Sequence, residues 1–122
     1  MHNNYRILVA DDEPMLLRVI TKVLHKAGYE VVSVVDGAQA LQEATAQHFD
    51  LHIFDQNMPG HTGKELLAML RSKNKNIRIV ISSGDDLSFP EHEEQPTGFL
   101  EKPFVLKGLL EKIARFISDE RL

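Results

Sequence analysis

Residues 7–14 of the chain are Ile-Leu-Val-Ala-Asp-Asp-Glu-Pro, a stretch that joins a predicted strand to a predicted helix. Its first four residues form a short apolar run, which is typical of a buried β-strand. Pro14 suits the first turn of a helix, where its missing N–H costs no hydrogen bond. Asp11 and Asp12 lie between the two elements. The stretch therefore predicts a strand-to-helix junction that carries two adjacent carboxylates.

Short apolar runs and helical patterns continue to alternate along the chain. Further strands are predicted at residues 31–35, 51–54, 77–81 and 98–100. Apolar residues that recur every three or four positions predict helices from Pro14 to just before Gly28 and at about 38–47, 64–71 and 105–118. Continuously apolar strands between helices are typical of a parallel sheet covered on both faces. The predicted fold is therefore α/β, with a doubly wound, five-stranded parallel sheet.

One segment departs from this rhythm. Residues 85–97 contain Pro90 and Pro96 and have hardly any apolar face. Proline inside a helix removes a backbone hydrogen bond and clashes with the preceding turn. The fourth of the expected helices should therefore be short or irregular.

Length, charge and composition limit the possible functions. A chain of 122 residues fits one domain, which we place at residues 1–122. A net charge of -4 argues against direct nucleic-acid binding, and cysteine is absent, which excludes thiolate metal sites and Cys nucleophiles. No apolar run approaches the roughly 20 residues that cross a bilayer. We therefore expect a soluble, cytoplasmic protein with no membrane partner.

Polar residues follow the carboxyl ends of four predicted strands. The first strand is followed by Asp11 and Asp12, the third ends in Asp55, and the fourth and fifth lead to Ser83 and Lys102. In doubly wound sheets, ligands bind beyond these strand ends. We therefore expect these side chains to line one pocket.

Three carboxylates in one pocket repel one another, by roughly 4 kcal/mol per close pair at an effective dielectric constant of about 20. A hard divalent cation offsets this repulsion, and oxygen ligands with retained water are the preference of Mg²⁺. The ion would also neutralise a transferring phosphoryl group and leave one Asp free as a nucleophile. Lys102 would pair with the phosphate oxygens, and the Ser83 hydroxyl would bond to them. The pocket is thus predicted to carry out magnesium-dependent phosphoryl transfer.

Over almost its whole length the sequence resembles bacterial response-regulator receivers. The motifs that carry the resemblance are Asp11-Asp12-Glu13-Pro14, Asp55-Gln56-Asn57-Met58-Pro59-Gly60 with Gly63, Ser83-Gly84 and Lys102-Pro103-Phe104. Their order and their positions at strand ends make the resemblance specific. It implies a flavodoxin-like sheet with strand order 2-1-3-4-5 and five helices.

The resemblance also implies roles for the acidic residues. Asp55 would be the phosphorylated residue, and Asp12 and Asp55 would contact Mg²⁺ directly. Asp11 would act mostly through a metal-bound water, while the backbone carbonyl of Asn57 would supply a further ligand. An amide at Asn57 and a carboxylate at Asp85 resemble chemotaxis-type receivers, which predicts a short-lived phosphorylated form.

The other motif residues would hold the phosphoryl group and report its presence. Lys102 would pair with the phosphate, and its peptide bond to Pro103 is expected to be cis, an isomer found almost only before proline. Gly84 leaves room for the group. Phe99 lies at the position of the family's switch aromatic and would turn inward when Ser83 moves towards the phosphate. The alternative for Phe99 is an ordinary core residue.

Two neighbouring hydroxyls, Ser82 and Ser83, compete for the phosphate-binding role. The interval from Asp55 that is usual in receivers favours Ser83. Strand alternation also turns Ser82 away from the pocket if Ser83 faces it. His52, inside an apolar run, is expected to be a hydrogen-bonded core or edge residue.

The implied partners are a sensor histidine kinase or histidine phosphotransfer protein as donor, and a downstream protein or effector domain. Three alternatives remain. A haloacid-dehalogenase-like phosphatase would need a second Asp where this chain has Asn57. A mononucleotide binder would need a Gly-rich loop after the first strand, where Asp11 and Asp12 repel phosphate. A phosphorylation-independent receiver scaffold would not need the complete acidic set. We expect no enzymatic activity beyond the chain's own phosphorylation and dephosphorylation.

Overall fold

The computed structural model describes residues 4–85, 88–90 and 93–118. The strands in these ranges are β1 (Arg6–Ala10), β2 (Glu30–Val34), β3 (Leu51–Asp55), β4 (Ile79–Ser83) and β5 (Gly98–Glu101). The helices are α1 (Pro14–Lys26), α2 (Gly37–Ala46), α3 (Gly63–Lys73) and α4 (Leu109–Ser118). The longest helix has 13 residues, and none in the described ranges could span a bilayer.

All five strands form one parallel sheet in the order β2-β1-β3-β4-β5, which confirms the predicted order. Alternate residues of β1 enter two different cores, as the pleat of a strand requires. Ile7 and Val9 pack in the core that includes α1 and α4. Leu8 and Ala10 pack in the core that includes α2 and α3. The sheet is therefore covered on both faces, and its carboxyl edge remains available for a site.

The helix ends follow local sequence signals. Pro14 is in the first turn of α1, and Gly28, with a φ of 103°, lies just beyond its end. Thr62 and Glu65 form a capping box at the start of α3, in which each side chain accepts a hydrogen bond from the other residue's backbone N–H. These caps set where the loops of the carboxyl edge begin.

Several element boundaries differ from the sequence prediction, including those of β4 and the last helix. β4 covers Ile79–Ser83 rather than 77–81, so it reaches the serine pair at the carboxyl edge. The last helix begins at Leu109 rather than near residue 105. Gly108 has a φ of 84°, which is outside the right-handed helical region and prevents the helix from starting earlier.

The prediction of five helices is corrected to four in the described residues. Residues 86–87 and 91–92 lie outside the description, and no helix is assigned to the other residues between β4 and β5. The Gln95 side-chain amide donates to the backbone oxygens of Phe89, Pro90 and Glu93, at 2.9–3.3 Å. Arg71 of α3 donates to the backbone oxygen of Gln95 at 2.6 Å. Side chains therefore supply hydrogen bonds that a helix would have made internally.

Candidate active site

Three carboxylates meet at the carboxyl edge of the sheet. Asp11 and Asp12 directly follow β1, and Asp55 is the last residue of β3. One oxygen from each of the three lies within 4.8 Å of the others. Asp11 and Asp55 are buried, with exposures of 3% and 4%, whereas Asp12 is exposed. The structure thus brings together the three acidic residues that the sequence predicted to share a pocket.

Backbone hydrogen bonds orient the two buried carboxylates. The N–H of Glu13 donates to Asp11 Oδ1 at 2.9 Å, and the N–H of Asn57 approaches Asp55 Oδ1 at 3.4 Å. The Asp11 N–H itself donates to the backbone oxygen of Val34 at 3.2 Å. Local turns after β1 and β3 therefore hold both side chains towards the same point.

Lys102 joins this cluster from the loop after β5. Its Nζ lies 2.9 Å from Asp11 Oδ2, 3.3 Å from Asp55 Oδ1 and 3.1 Å from Glu13 Oε1. The Lys102 N–H donates to the backbone oxygen of Ser83 at 2.9 Å, which ties the loop to β4. The bond from Lys102 to Pro103 is cis, as predicted.

Burial and charge shift the acid–base behaviour of the site. Burial, together with the neighbouring Asp11 charge, raises the pKa of Asp55 to about 6, although Lys102 acts in the opposite direction. Burial by itself lowers the pKa of Lys102, but the carboxylates of Asp11, Glu13 and Asp55 raise it above its ordinary value overall. Lys102 is therefore a fixed cation at neutral pH. The three carboxylates around it carry more negative charge than one ammonium can neutralise.

The loop between β3 and α3 is held by residues to which sequence reasoning gave no role. Gln56 Oε1 accepts a hydrogen bond from the N–H of Lys64 at 2.9 Å, and the Gln56 backbone bonds Ser82 and Gly63. The Thr-x-x-Glu pattern at Thr62 was a sequence signal for the start of α3. No comparable signal marked Gln56, because its partners lie on separate elements.

The same loop also packs closely against α2. A Cβ at Gly37 would lie 2.3 Å from the backbone oxygen of His61, so only glycine allows this approach. The Gly37 N–H donates to the backbone oxygen of Pro59 at 2.9 Å. The backbone that follows Asp55 is thus fixed from both sides.

The serine pair ends β4 with its side chains on opposite faces. Val80 packs in the core that includes α1, whereas Ile79 and Ile81 pack in the core that includes α3, so strand alternation separates Ser82 from Ser83. Ser83 Oγ accepts a hydrogen bond from the N–H of Asp85 at 3.0 Å.

Small residues leave room next to this serine. A Cβ at Gly84 would meet Lys102 atoms only at 3.9 Å, which is ordinary van der Waals contact. Ser83 also lines a cavity of about 360 Å³ together with Ile81 and Phe99. Position 84 therefore accepts a small side chain without strain, and space is available beside Ser83.

Phe99 points outward in this structure. Its side chain is 49% exposed, so it is not an ordinary core residue. Its ring centroid lies 5.4 Å from that of Phe89, and Lys64 Nζ lies 4.8 Å from the Phe89 ring centroid. Lys64 of α3 therefore packs on the Phe89 ring, and Phe89 covers one side of Phe99, the predicted switch aromatic.

Comparison with known proteins identifies the family. Residues 7–114 match the model of the response regulator receiver domain. The chain belongs to this family. Among relatives of the receiver, the sensor protein EvgS of Escherichia coli K12 is 42% identical over 73 residues, 60% of this chain and 6% of that protein. The transcriptional regulatory protein PrrA of Mycobacterium tuberculosis is 34% identical over 112 residues, 88% of this chain and 48% of that protein. The receiver thus spans less than half the length of these two relatives.

Solved structures share the fold of the receiver. The chemotaxis response regulator CheY4 of Vibrio cholerae is 32% identical and superposes with a TM-score of 0.83, covering 93% of this chain and 99% of that one. The receiver domain of sensor histidine kinase PA1611 from Pseudomonas aeruginosa is 25% identical, with a TM-score of 0.84, and covers 96% of this chain and 100% of that one. That structure contains a magnesium ion coordinated in the active site cleft.

The family and the acidic pocket together make this chain a receiver domain of two-component signalling systems, as its motifs predicted. The match to the receiver family disfavours the phosphatase and mononucleotide-binder interpretations. Family members occur in sensor proteins and in transcriptional regulators. The roles of individual residues in this chain stay predictions.

Proposed function

We propose that Asp55 accepts a phosphoryl group from a phosphohistidine in a Mg²⁺-dependent reaction. The observation that carries this proposal is the position of its carboxylate, clustered with Asp11 and Asp12 and 3.3 Å from the Lys102 ammonium. A phosphoacceptor needs a nucleophilic oxygen, a metal-binding group and a fixed cation within a few Å of one another. The pocket offers all three.

The donor set fits Mg²⁺. All three side chains offer carboxylate oxygens, and one lysine leaves negative charge in excess. Asp12 and Asp55 would bind the ion directly, Asp11 mostly through water, and the backbone oxygen of Asn57 would complete the protein ligands. When bound, the ion supplies neutralisation of phosphoryl charge and orientation of the donor phosphate. The exposure of Asp12 leaves the site open to the ion and its waters.

The chain's own residues would carry the transfer as follows. An Asp55 carboxylate oxygen attacks phosphorus, an O–P bond forms, the N–P bond of the phosphohistidine breaks, and the electron pair stays on the imidazole nitrogen. Without the metal, burial raises the pKa of Asp55 to about 6, so its carboxylate is mostly ionised above about pH 6 and can act as the nucleophile. Lys102 and the Ser83 hydroxyl donate hydrogen bonds to the phosphoryl oxygens.

The phosphoryl group would then change a surface. Ser83 would leave its bond with the Asp85 N–H, and Phe99, which borders the same cavity, would turn into the vacated space. The altered surface would be recognised by a downstream protein or effector domain. A sensor histidine kinase or histidine phosphotransfer protein would be the donor. We place residues 1–122 in one domain that acts in the cytoplasm.

Loss of the phosphoryl group would be rapid. Asn57 and Asp85 flank the phosphate position as they do in chemotaxis-type receivers, and we assign them the control of hydrolysis. We assign the chain no catalysis beyond its own phosphorylation and dephosphorylation. A phosphorylated form that persists for hours after donor removal would contradict this assignment.

Intact-mass measurement on samples quenched while acetyl phosphate or phosphoramidate is still in excess tests the proposal, because the phosphorylated form is expected to be short-lived. One phosphoryl adduct should form with MgCl₂ and be absent with EDTA or in Asp55→Asn. Asp36→Asn is the matched control, because Asp36 also follows a strand and Asn caps a helix as well as Asp does. No adduct in the wild type would favour the phosphorylation-independent scaffold, and multiple turnover of phosphoesters would favour the phosphatase.

A further inference from the structure

The Lys102 ammonium has three carboxylate partners. An ammonium has three N–H donors, and the oxygens of Asp11, Glu13 and Asp55 lie 2.9–3.3 Å from Nζ. The Lys102 side chain is only 14% exposed, so water contributes little to its solvation. Carboxylates therefore supply most of the hydrogen bonds of this cation.

Two of these partners are also needed for the metal. Asp11 and Asp55 belong to the carboxylate cluster proposed above to hold Mg²⁺. Lys102 and a divalent cation are both attracted to the carboxylates of Asp11 and Asp55. Each cation therefore weakens the binding of the other to these carboxylates. When the metal binds, the ammonium must give up part of its contact with Asp11 and Asp55.

Glu13 differs from the other two partners. Its side chain is 63% exposed, it lies outside the metal-ligand cluster, and it makes no cap hydrogen bond at the start of α1. Its backbone N–H nevertheless donates to Asp11 Oδ1 at 2.9 Å. The residue is therefore anchored beside the metal site, and its carboxylate remains available to the ammonium.

We propose that Glu13 is a positioning residue that receives the Lys102 ammonium when Mg²⁺ binds at the carboxylate cluster of Asp11, Asp12 and Asp55. This inference rests on the proposed magnesium-dependent function. Glu13 keeps the displaced cation solvated at the rim of the pocket, within reach of an incoming phosphate. Metal binding therefore does not leave a buried, unpaired lysine, which would be costly.

Isothermal titration of the whole chain with MgCl₂ measures the effect. Glu13→Gln should raise the Kd for Mg²⁺ by up to about fivefold, the size expected for one exposed ion pair. Glu111→Gln, an equal change of charge at an exposed position on α4, should leave the Kd unchanged. Urea unfolding of each variant verifies that the fold is intact.

A double-mutant cycle separates this role from simple charge attraction. Lys102→Met should tighten Mg²⁺ binding, and Glu13→Gln should have no further effect in that background. Equal weakening with and without Lys102 overturns the proposal, as does an unchanged Kd in Glu13→Gln. If Lys102→Met does not fold, Lys102→Gln takes its place. A wild-type chain that binds no Mg²⁺ overturns the proposed function itself, which is a different result from a failed cycle.

Discussion

Replacement of Asp55, the proposed phosphoacceptor, should stabilise the metal-free protein. Asp55 is 4% exposed and lies beside the Asp11 carboxylate, so the folded state disfavours its ionised form. Asparagine has nearly the same shape and no charge. We therefore expect Asp55→Asn to increase the free energy of unfolding in EDTA, although it should abolish the proposed phosphorylation. Strain of this kind is common at functional sites.

The magnitude follows from the pKa of Asp55. A rise from 3.8 to about 6 corresponds to about 3 kcal/mol, at roughly 1.4 kcal/mol per tenfold change in the protonation equilibrium. For a carboxyl group whose pKa is raised by folding, stability is highest below about pH 4 and falls as pH rises to about 6. The gain from Asp55→Asn should therefore approach about 3 kcal/mol above pH 6 and vanish below about pH 4.

Urea unfolding across this pH range, in EDTA and in saturating MgCl₂, measures the gain. The denaturation midpoint should rise in EDTA with no change in m-value, because the surface exposed on unfolding is the same. MgCl₂ should reduce the gain, since the ion should bind the complete wild-type carboxylate cluster more tightly than the cluster that lacks the Asp55 charge. Asp12→Asn is the matched control, and it should gain less because the Asp12 carboxylate is exposed to water.

Two outcomes would refute this reasoning. Equal or lower stability of Asp55→Asn in EDTA at neutral pH would mean that the bond to Lys102 outweighs burial and repulsion. A gain that stays constant between acidic and neutral pH would mean that it does not arise from the charge of Asp55.

Three further predictions concern the scaffold. Burial lowers the pKa of His52 from 6.5 to about 4. The free energy of unfolding should therefore fall by up to about 3 kcal/mol as the pH drops from about 6.5 to about 4. Urea titrations of His52→Gln should not show this loss. Thr62→Ala removes the α3 capping box and should cost about 1 kcal/mol in urea unfolding, more than Thr45→Ala inside α2. Gly37→Ala should lower the melting temperature, because its Cβ would overlap the His61 backbone. An unchanged melting temperature would show that the loop containing His61 moves to make room.

Local patterns were sufficient for most elements. Pro14 and Gly28 mark the ends of α1 because proline and glycine act through their own backbone. From its apolar neighbours, His52 was expected to be a hydrogen-bonded core or edge residue. It is buried, and its Nδ1 lies 2.9 Å from the Arg78 backbone oxygen. The prolines of segment 85–97 predicted a short or irregular helix, and no helix is assigned to its described residues. The hydrogen bonds that the Gln95 and Arg71 side chains donate to its backbone could not be predicted, because they depend on how the chain folds back on α3.

The sequence alone determined the fold class, the strand-end pattern and the identity of the candidate acidic residues, because apolar periodicity and motif order are local properties of the chain. Tertiary structure decided which groups touch. Lys102 and Glu13 are 89 residues apart, and no pattern along the chain indicates their 3.1 Å contact. Such contacts depend on how loops from separate strands meet at one edge of the sheet. Asp55 was thus identifiable from sequence, whereas its raised pKa and the sharing of Lys102 arise only in the folded protein.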